Sequence, residues 1–217
     1  MRILITGSEG QVGSALEILC KEMELDYLAF NKSSLDITDT VSLFKIIKAG
    51  NPTILINAAA YTNVDQAEDE EVLASRVNTF GVKNLANICK ELSIPLIHLS
   101  TDYVFDGKKS FPYVEEDSTN PINVYGKTKL NGEMEIKSIL NRYIILRTSW
   151  VFSNNGKNFM NTILDLSQKT NNLSVVDDQF GSPTSASSIA DAIIKICKDY
   201  QFKNSLQSGI YHFSGKD

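Results

Sequence analysis

Short runs of Ile, Val and Leu alternate with segments of helical periodicity along the whole chain. This alternation constrains the fold most, because near-continuous apolar runs are typical of parallel strands that helices cover on both faces. The predicted strands lie at 2–6, 26–30, 53–57, 96–100, 143–148, 173–176 and 210–213, and the predicted helices at about 11–23, 40–49, 71–92, 122–140, 157–170 and 186–199. The predicted fold class is therefore α/β, a doubly wound parallel sheet with right-handed crossovers.

Length, charge and cysteine content exclude several classes of protein. A chain of 217 residues, 42% of them hydrophobic, can bury a core without disulfides or a metal. Its net charge of −5 argues against a broad nucleic-acid surface. The three cysteines predict free thiols in a reducing compartment, and no apolar run reaches the roughly 18 residues of a membrane span. Because the first strand is predicted from Arg2, we expect no signal peptide, and a cytoplasmic protein without nucleic-acid or membrane partners.

A glycine-rich turn, GSEGQVG at 7–13, links the first predicted strand directly to a helix. Gly7, Gly10 and Gly13 would permit a tight turn, close approach of the backbone to a pyrophosphate and close helix–strand packing. The helix N-terminus at Gln11 and Val12 would then offer free N–H groups to the phosphates. This placement predicts a Rossmann-type NAD(P)-binding domain at residues 1–150, with 151–217 a partial substrate-binding region interleaved with the last Rossmann elements.

The residues after the second predicted strand favour NADPH. A strict NAD site has Asp or Glu there against the ribose 2′-hydroxyl, whereas this chain has Asn31 and Lys32. Lys32 would face a 2′-phosphate, but a solvated loop charge explains it equally well, so NADH stays possible. Asp36 would accept from the adenine amino group, and Ile37 would pack on the ring. The end of the third strand would also contact the cofactor, through Ala58, Ala59, Ala60, Tyr61 and Thr62.

Polar residues of a second group follow the later strands. Tyr125 and Lys129 are four residues apart on a predicted helix and therefore share a face. The Lys129 ammonium would lower the phenol pKa from about 10 and reach the nicotinamide ribose. Thr101, which ends the fourth strand close to a cofactor contact at Leu99, would hydrogen-bond a substrate carbonyl. Thr101, Tyr125 and Lys129 together predict a reductase-type catalytic triad.

Asn78 and the two histidines have less specific interpretations. Asn78 would brace the catalytic helix through a water, or it would serve helix packing alone. His98 and His212 fit packed core positions, and no His/Cys/Asp cluster has zinc spacing. The residues themselves therefore predict no metal site.

With these segments and others in the same order, the chain resembles the dTDP-4-dehydrorhamnose reductases, which are extended short-chain dehydrogenase/reductases. The matching motifs extend from residue 2 to about residue 190, and they are specific as an ordered set. They are the glycine turn at 7–13, NAAAYTNVD at 57–65, STDYVFD at 100–106, PINVYGKTKLNGE at 121–133, RTSWVF at 147–152, Asn158-Phe159 and DQFGSPT at 178–184.

The resemblance implies NADPH-dependent reduction of the 4-keto group of dTDP-4-dehydro-L-rhamnose, in dTDP-rhamnose and cell-surface polysaccharide biosynthesis. It implies that Tyr125 is the proton donor, that Lys129 binds the nicotinamide ribose and that Thr101 tunes the site. Trp150 would contact the sugar nucleotide, although a core position would suit it equally well. The full set of implied substrate contacts is Thr101, Asp102, Tyr103, Trp150, Asn158 and Phe159.

The resemblance also implies features that no residue here identifies. Family members can form homodimers through Mg²⁺, whose ligands cannot be assigned in this chain. They continue well beyond the last predicted strand, so we expect part of the sugar-nucleotide pocket to lie outside these residues.

Two other functions remain open from the sequence. A sugar-nucleotide 4,6-dehydratase typically has Asp-Glu directly after the Thr, whereas Tyr103 follows Asp102 here. A non-catalytic NADP-binding regulator, resembling the regulatory subunit of methionine adenosyltransferase, would bind cofactor without turnover.

Overall fold

A six-stranded parallel sheet forms the centre of the computed structural model, which describes residues 1–154, 156, 158–170 and 172–215. The strand order is β2-β1-β3-β4-β5-β8, and a separate parallel pair joins β6 to β7. The strands are β1 (Arg2–Thr6), β2 (Asp26–Phe30), β3 (Ile54–Asn57), β4 (Leu96–Thr101), β5 (Tyr143–Thr148), β6 (Val151–Phe152), β7 (Thr184–Ser185) and β8 (Gly209–His212).

Helices cover both faces of this sheet, as the apolar runs predict. The α-helices are α1 (Gln11–Glu22), α2 (Thr40–Gly50), α3 (Val64–Asp69), α4 (Glu71–Ser75), α5 (Val82–Glu91), α6 (Val124–Ile139), α7 (Phe159–Ser167) and α8 (Ala186–Lys203). Successive β1 residues separate the two cores: Ile3 and Ile5 pack with α1 and α8, whereas Leu4 packs with α2, α5 and α6. The predicted doubly wound α/β class is confirmed.

The reversal of strand order lies between β1 and β3, since β2 extends the sheet on one side of β1 and β3 on the other. Ligands of open parallel sheets bind at the carboxyl ends of the strands at such a reversal. Here Thr6 and Asn57 end these two strands as register partners, and the glycine turn begins at the next residue, Gly7.

One predicted strand is wrong, and one predicted helix contains an irregularity. The apolar run at 173–176 is not a strand: it has no regular secondary structure, and Leu173, Val175 and Val176 are exposed. An apolar run becomes a strand only where a neighbouring strand is available for pairing, which periodicity cannot report. The helix predicted at 71–92 is confirmed as one continuous helical stretch over 71–91, which consists of α4, a π-helical segment at Arg76–Gly81 and α5.

The helix ends and the thiols complete the description of the fold. Asp39 caps α2, and its side chain accepts from the Ser42 N–H at 3.2 Å. Ser185 precedes α8, but its hydroxyl pairs with that of Ser187 at 2.6 Å and makes no side-chain cap. The cysteines Cys20, Cys89 and Cys197 are buried and free, as predicted. In the described part of the chain, no helix combines the length and apolar character that crossing a membrane requires.

Candidate active site

Glycine is required in the turn after β1 for geometric reasons. Gly7 has φ +72°, and a Cβ there would lie 2.5 Å from the Ala59 backbone nitrogen. A Cβ on Gly13 would lie 2.1 Å from the Gly7 carbonyl oxygen. The Gly10 N–H donates to that same oxygen at 3.0 Å, and α1 begins at the next residue. This arrangement brings the N-terminus of a helix and bare backbone to the strand reversal, as a pyrophosphate site requires. The Val12 side chain belongs to the core, so only its backbone faces the turn.

A carboxylate that sequence reasoning missed lies at the end of β2. Glu9, in the glycine turn, accepts from Asn31 Nδ2 at 2.6 Å. The Asn31 Oδ1 accepts from the Ser34 N–H at 2.9 Å, so this amide links the turn to the loop after β2. Lys32 is exposed beside it. The absence of an acid after β2 predicts a site without carboxylate, but the fold supplies one from a different segment.

The two residues expected at the adenine differ in their placement. Ile37 is 3% exposed and belongs to the core, and a Cβ on Gly81 would lie 2.7 Å from its Cγ1. Its side chain therefore packs in the core, and a contact with the adenine stays a prediction. Asp36 is half-buried, and its Oδ1 accepts from the Thr38 N–H at 2.8 Å.

Asn78 joins the loop after β3 to helix α6. Its Oδ1 accepts from the Tyr61 N–H at 2.9 Å, and its Nδ2 donates to the Tyr61 carbonyl at 3.0 Å. The same Nδ2 donates to the Thr128 hydroxyl at 3.1 Å. The predicted bracing of the catalytic helix is therefore direct. Ala58, Ala59 and Ala60 are all partly exposed at this loop, and Thr62 is exposed.

Thr101 and Tyr125 lie next to each other at the carboxyl end of β4. Thr101 Oγ1 also donates to Asp102 Oδ1 at 3.0 Å, and the Tyr103 ring packs edge-on against Tyr125 at 5.6 Å. Burial raises the pKa of Tyr125 above its usual value of about 10, and the nearby Thr101 hydroxyl opposes this effect. The prediction of a lowered phenol pKa is therefore wrong for this structure. Burial also raises the pKa of Asp102.

Lys129, one helical turn after Tyr125, is 2% exposed. Its Nζ donates to the Leu99 carbonyl at 2.6 Å and lies 3.4 Å from Nε2 of His98. Burial is the main cause that lowers its pKa to about 8, and the Glu133 carboxylate acts in the opposite direction. The predicted triad residues thus converge on the last residues of one strand.

A buried ion pair beneath this site was not predicted. Arg147 of β5 donates from Nε and Nη2 to the two oxygens of Glu133 on α6, at 3.0 and 2.7 Å. Ser100 of β4 donates to the same carboxylate. Both members of the pair are at most 4% exposed, so it fixes α6 on the ends of β4 and β5. The RTSWVF and NGE motifs contain both residues, but only the fold pairs them.

The expected substrate residues after β5 form a looser group. Trp150 has φ +46°, an uncommon conformation for a residue with a Cβ, and it is 42% exposed. Asn158 caps α7 and donates to Gln11 Oε1 at 2.9 Å, while Phe159 is exposed. Gln11 itself donates to the Val151 carbonyl at 3.3 Å. An open cleft of about 460 Å³ lies beside Gln11, between α1 and the start of α8, and Tyr125 does not line it.

Comparison with known proteins identifies the family. The model of the RmlD substrate binding domain family matches residues 1–217. The dTDP-4-dehydrorhamnose reductase of Aggregatibacter actinomycetemcomitans is 44% identical over 99% of this chain and 74% of its own length. This chain belongs to the dTDP-4-dehydrorhamnose reductase family. A second reductase of this name, from Escherichia coli K12, is 37% identical over 98% of the chain and 72% of its own length.

Solved structures of the family have the same architecture. The dTDP-4-dehydrorhamnose reductase of Bacillus anthracis, in complex with NADP, is 38% identical with a TM-score of 0.92 over 100% of this chain and 75% of its own. UDP-glucose 4-epimerase from Brucella ovis, in complex with NAD, is 18% identical with a TM-score of 0.85 over 98% of this chain and 77% of its own, which shows the shared fold alone. The chain spans about three quarters of the length of these family members.

The Mg²⁺ that the family resemblance implied finds no support in the site. Among the described residues, no group of three or more His, Cys, Asp or Glu side chains is positioned to hold a metal ion.

Proposed function

We propose that this chain is an NADPH-dependent oxidoreductase that reduces the 4-keto group of dTDP-4-dehydro-L-rhamnose to give dTDP-L-rhamnose. The single observation that carries this proposal is the convergence of Thr101, Tyr125 and Lys129 on the end of β4, at the same edge of the parallel sheet as the glycine turn. The proposal is supported by membership of a family whose relatives bear the corresponding name. In the cell, the product would serve the synthesis of cell-surface polysaccharide.

The residues around the glycine turn fit a dinucleotide. The bare backbone at Gly7, the close approach of Gly13 and the free N-terminus of α1 form a cradle that any Cβ would fill. NADPH supplies the hydride when it is bound. In the proposal Gly7, Gly10, Gln11, Val12 and Gly13 hold its phosphates, and the other contacts come from Lys32, Asp36, Ile37, Ala58, Ala59, Ala60, Tyr61, Thr62, Leu99, Tyr125 and Lys129.

Tyr125 is assigned the proton transfer. Because burial raises its pKa, the phenol carries its proton at neutral pH and is able to donate it to the carbonyl oxygen as that oxygen gains charge. Thr101, whose hydroxyl lies next to the phenol, is assigned to orienting it. Lys129, held by the Leu99 carbonyl, is assigned to the ribose hydroxyls.

We assign the sugar nucleotide to the side of Tyr125 that faces away from the proposed cofactor site. Its proposed contacts are Thr101, Asp102, Tyr103, Trp150, Asn158 and Phe159, of which Trp150 is partly exposed and conformationally strained. Backbone strain of this kind clusters at functional sites. We assign residues 1–150 to cofactor binding and residues 151–217 to part of the substrate-binding region. A cytoplasmic location and a homodimer belong to the same proposal.

Turnover of dTDP-4-dehydrorhamnose with NADPH, followed by NADPH absorbance, tests the proposal. We expect turnover by the unaltered chain, and loss of about 10²–10⁴-fold in Tyr125→Phe, because general acid catalysis is worth that factor. NADPH affinity in Tyr125→Phe should be nearly unchanged, since the ring still packs against Tyr103.

The same assay separates the alternatives. Stoichiometric NADPH binding with no turnover of any 4-keto sugar nucleotide would indicate a non-catalytic regulator. Near-normal turnover in Tyr125→Phe would contradict the assignment of the proton donor.

A further inference from the structure

A row of buried polar side chains extends from the glycine turn to Lys129 beneath the candidate site. Thr6, the last residue of β1, donates its hydroxyl to Asn57 Oδ1 at 2.7 Å. Asn57 Nδ2 lies 2.9 Å from Nδ1 of His98, and His98 Nε2 lies 3.4 Å from Nζ of Lys129. All four side chains are at most 2% exposed. Because water does not reach such groups, each donor needs an acceptor within the row.

The orientation of the Asn57 amide decides which nitrogen of His98 carries the proton. Asn57 Oδ1 accepts from the backbone N–H of Ala59 at 3.1 Å, and a backbone N–H can only donate. The amide oxygen therefore faces Ala59 and Thr6, and the amide nitrogen faces His98. Since Asn57 Nδ2 donates to His98 Nδ1, that ring nitrogen is an acceptor and the proton lies on Nε2.

The Nε2 proton of His98 then points toward Lys129. An ammonium group has three N–H bonds and no lone pair, so it would place a donor against a donor at this contact. A neutral amine has a lone pair for the His98 N–H, one N–H for the Leu99 carbonyl at 2.6 Å and one further N–H. The contact is therefore attractive only for the neutral amine.

We infer that His98 is a positioning residue of the proposed reductase, whose Nε2–H favours the neutral amine of Lys129 over the ammonium at the end of β4. The role of Lys129 rests on the proposed function, whereas the pairing with His98 rests on the hydrogen bonds alone. Protonation of Lys129 turns the contact from attractive to repulsive, so protonation and release from His98 are coupled. The lowered pKa of Lys129, about 8, agrees in direction, as does that of His98, which burial and the Lys129 charge both lower.

The other charged groups near Lys129 are engaged with partners of their own. The His98 contact is therefore the one that distinguishes the ammonium of Lys129 from its neutral amine. Glu133 on its own helix favours the ammonium, but that carboxylate is paired with Arg147 of β5. The other titratable groups of the neighbouring elements have partners of their own: Asp102 with Thr101, Tyr103 with Tyr125, Glu68 with the Val124 N–H, Glu71 with Lys127, and Glu135 with Lys83.

Nitrogen-15 NMR of the histidine rings in the 217-residue chain tests the pairing without any substrate. The chain has two histidines, so His212→Gln assigns the His98 signals. We expect the Nε2–H tautomer throughout, with one shift of the ring signals centred near pH 8 as Lys129 titrates. That shift should be absent from Lys129→Met. An Nδ1–H tautomer, or a ring that itself titrates near the ordinary value of about 6.5, would overturn the inference.

Kinetics then test the positioning role through the pH profile of kcat/KM, which reports groups of the free enzyme. In His98→Leu we expect the apparent pKa assigned to Lys129 to rise by about one, the effect of one hydrogen bond. His98→Gln, whose amide both accepts from Asn57 and donates to Lys129, should keep it near 8. Equal profiles in unaltered, Leu and Gln forms would refute the role.

The two measurements separate failure of this inference from failure of the proposed function. If His98→Leu does not fold, the wild-type NMR result and the His98→Gln profile still decide. A chain with no turnover but with the expected tautomer and coupled shift would refute the reductase proposal and leave the His98–Lys129 pairing established.

Discussion

Residues 1–148 and residues 149–182 are held together by different interactions. In the first region, strands and helices bury continuous apolar cores on both faces of the sheet, and α8 completes one of these cores. In the second, every residue of α7 is at least partly exposed, and Phe159 and Phe180 are 66% and 99% exposed. Polar contacts tie this second region to the first, above all those from Gln11 to Val151, Ser153 and Asn158.

This difference shows which side chains of the candidate site are firmly positioned. The triad, the glycine turn and the Asn78 brace are positioned by elements whose opposite faces are buried in the core. The segment assigned to the sugar nucleotide depends instead on a few hydrogen bonds, each worth about 1 kcal/mol. Cofactor geometry should therefore tolerate perturbation of the second region, whereas substrate geometry should not tolerate loss of its ties.

Breaking the buried ion pair should have the largest effect on stability. Glu133→Gln leaves the Arg147 guanidinium buried opposite a neutral group, which typically costs about 3–5 kcal/mol. Denaturant unfolding of the 217-residue chain should show this loss as a lower midpoint.

Glu135→Gln is the matched control, two residues along the same helix. Its carboxylate pairs with a partly exposed Lys83 at 3.2 Å, and pairs of that kind contribute about 0–1 kcal/mol. Equal losses in the two variants would show that α6 is not anchored through Arg147.

How far the sequence alone could lead differs between the same two regions. Apolar alternation predicts all six strands of the large sheet, because each of them pairs with at least one neighbour and helices cover both faces of that sheet. The run at 173–176 has similar composition but lies in the second region, without a strand to pair with. Local composition cannot distinguish these two situations.

The site shows the same limit. Tyr125 and Lys129 share a helix face, so their spacing predicts their proximity, and the glycine turn is contiguous in sequence. Three other contacts join residues that are distant in the sequence and lie on different strands, loops or helices. They are Glu9 with Asn31, Arg147 with Glu133, and the row from Thr6 to Lys129. Such pairs arise only from strand order and register, which the sequence pattern does not specify.

Removing the hydrogen bonds that Gln11 makes should have an intermediate effect on local stability, and this effect should be confined to residues 149–182. Gln11→Ala removes the partners of Val151, Ser153 and Asn158 but keeps the backbone of the glycine turn. We expect hydrogen exchange in α7 to become about tenfold faster, the effect of roughly one lost hydrogen bond. Exchange in β1, β3 and β4 should be unchanged.

Gln168→Ala, which removes the same side chain at the exposed end of α7, is the control and should leave exchange in the helix start unaltered. If the strands also exchanged faster in Gln11→Ala, the two regions would be one cooperative unit and the comparison would fail.

The smallest effect is expected for cofactor choice, which depends on exposed charges at the end of β2. Lys32 would attract a 2′-phosphate and Glu9 would repel it, and one such charge contributes about 1 kcal/mol in water at about 4 Å. Fluorescence titration should therefore show Glu9→Gln raising the affinity for NADPH relative to NADH by about fivefold, and Lys32→Ala lowering it by about as much. Both changes in relative affinity should become smaller at high salt, because these side chains are exposed.

The unaltered chain should bind NADPH at least as well as NADH. A strong NADH preference that Lys32→Ala leaves unchanged would remove Lys32 from the site, and a further shift toward NADPH in Glu9→Gln would then assign the selectivity to Glu9 alone.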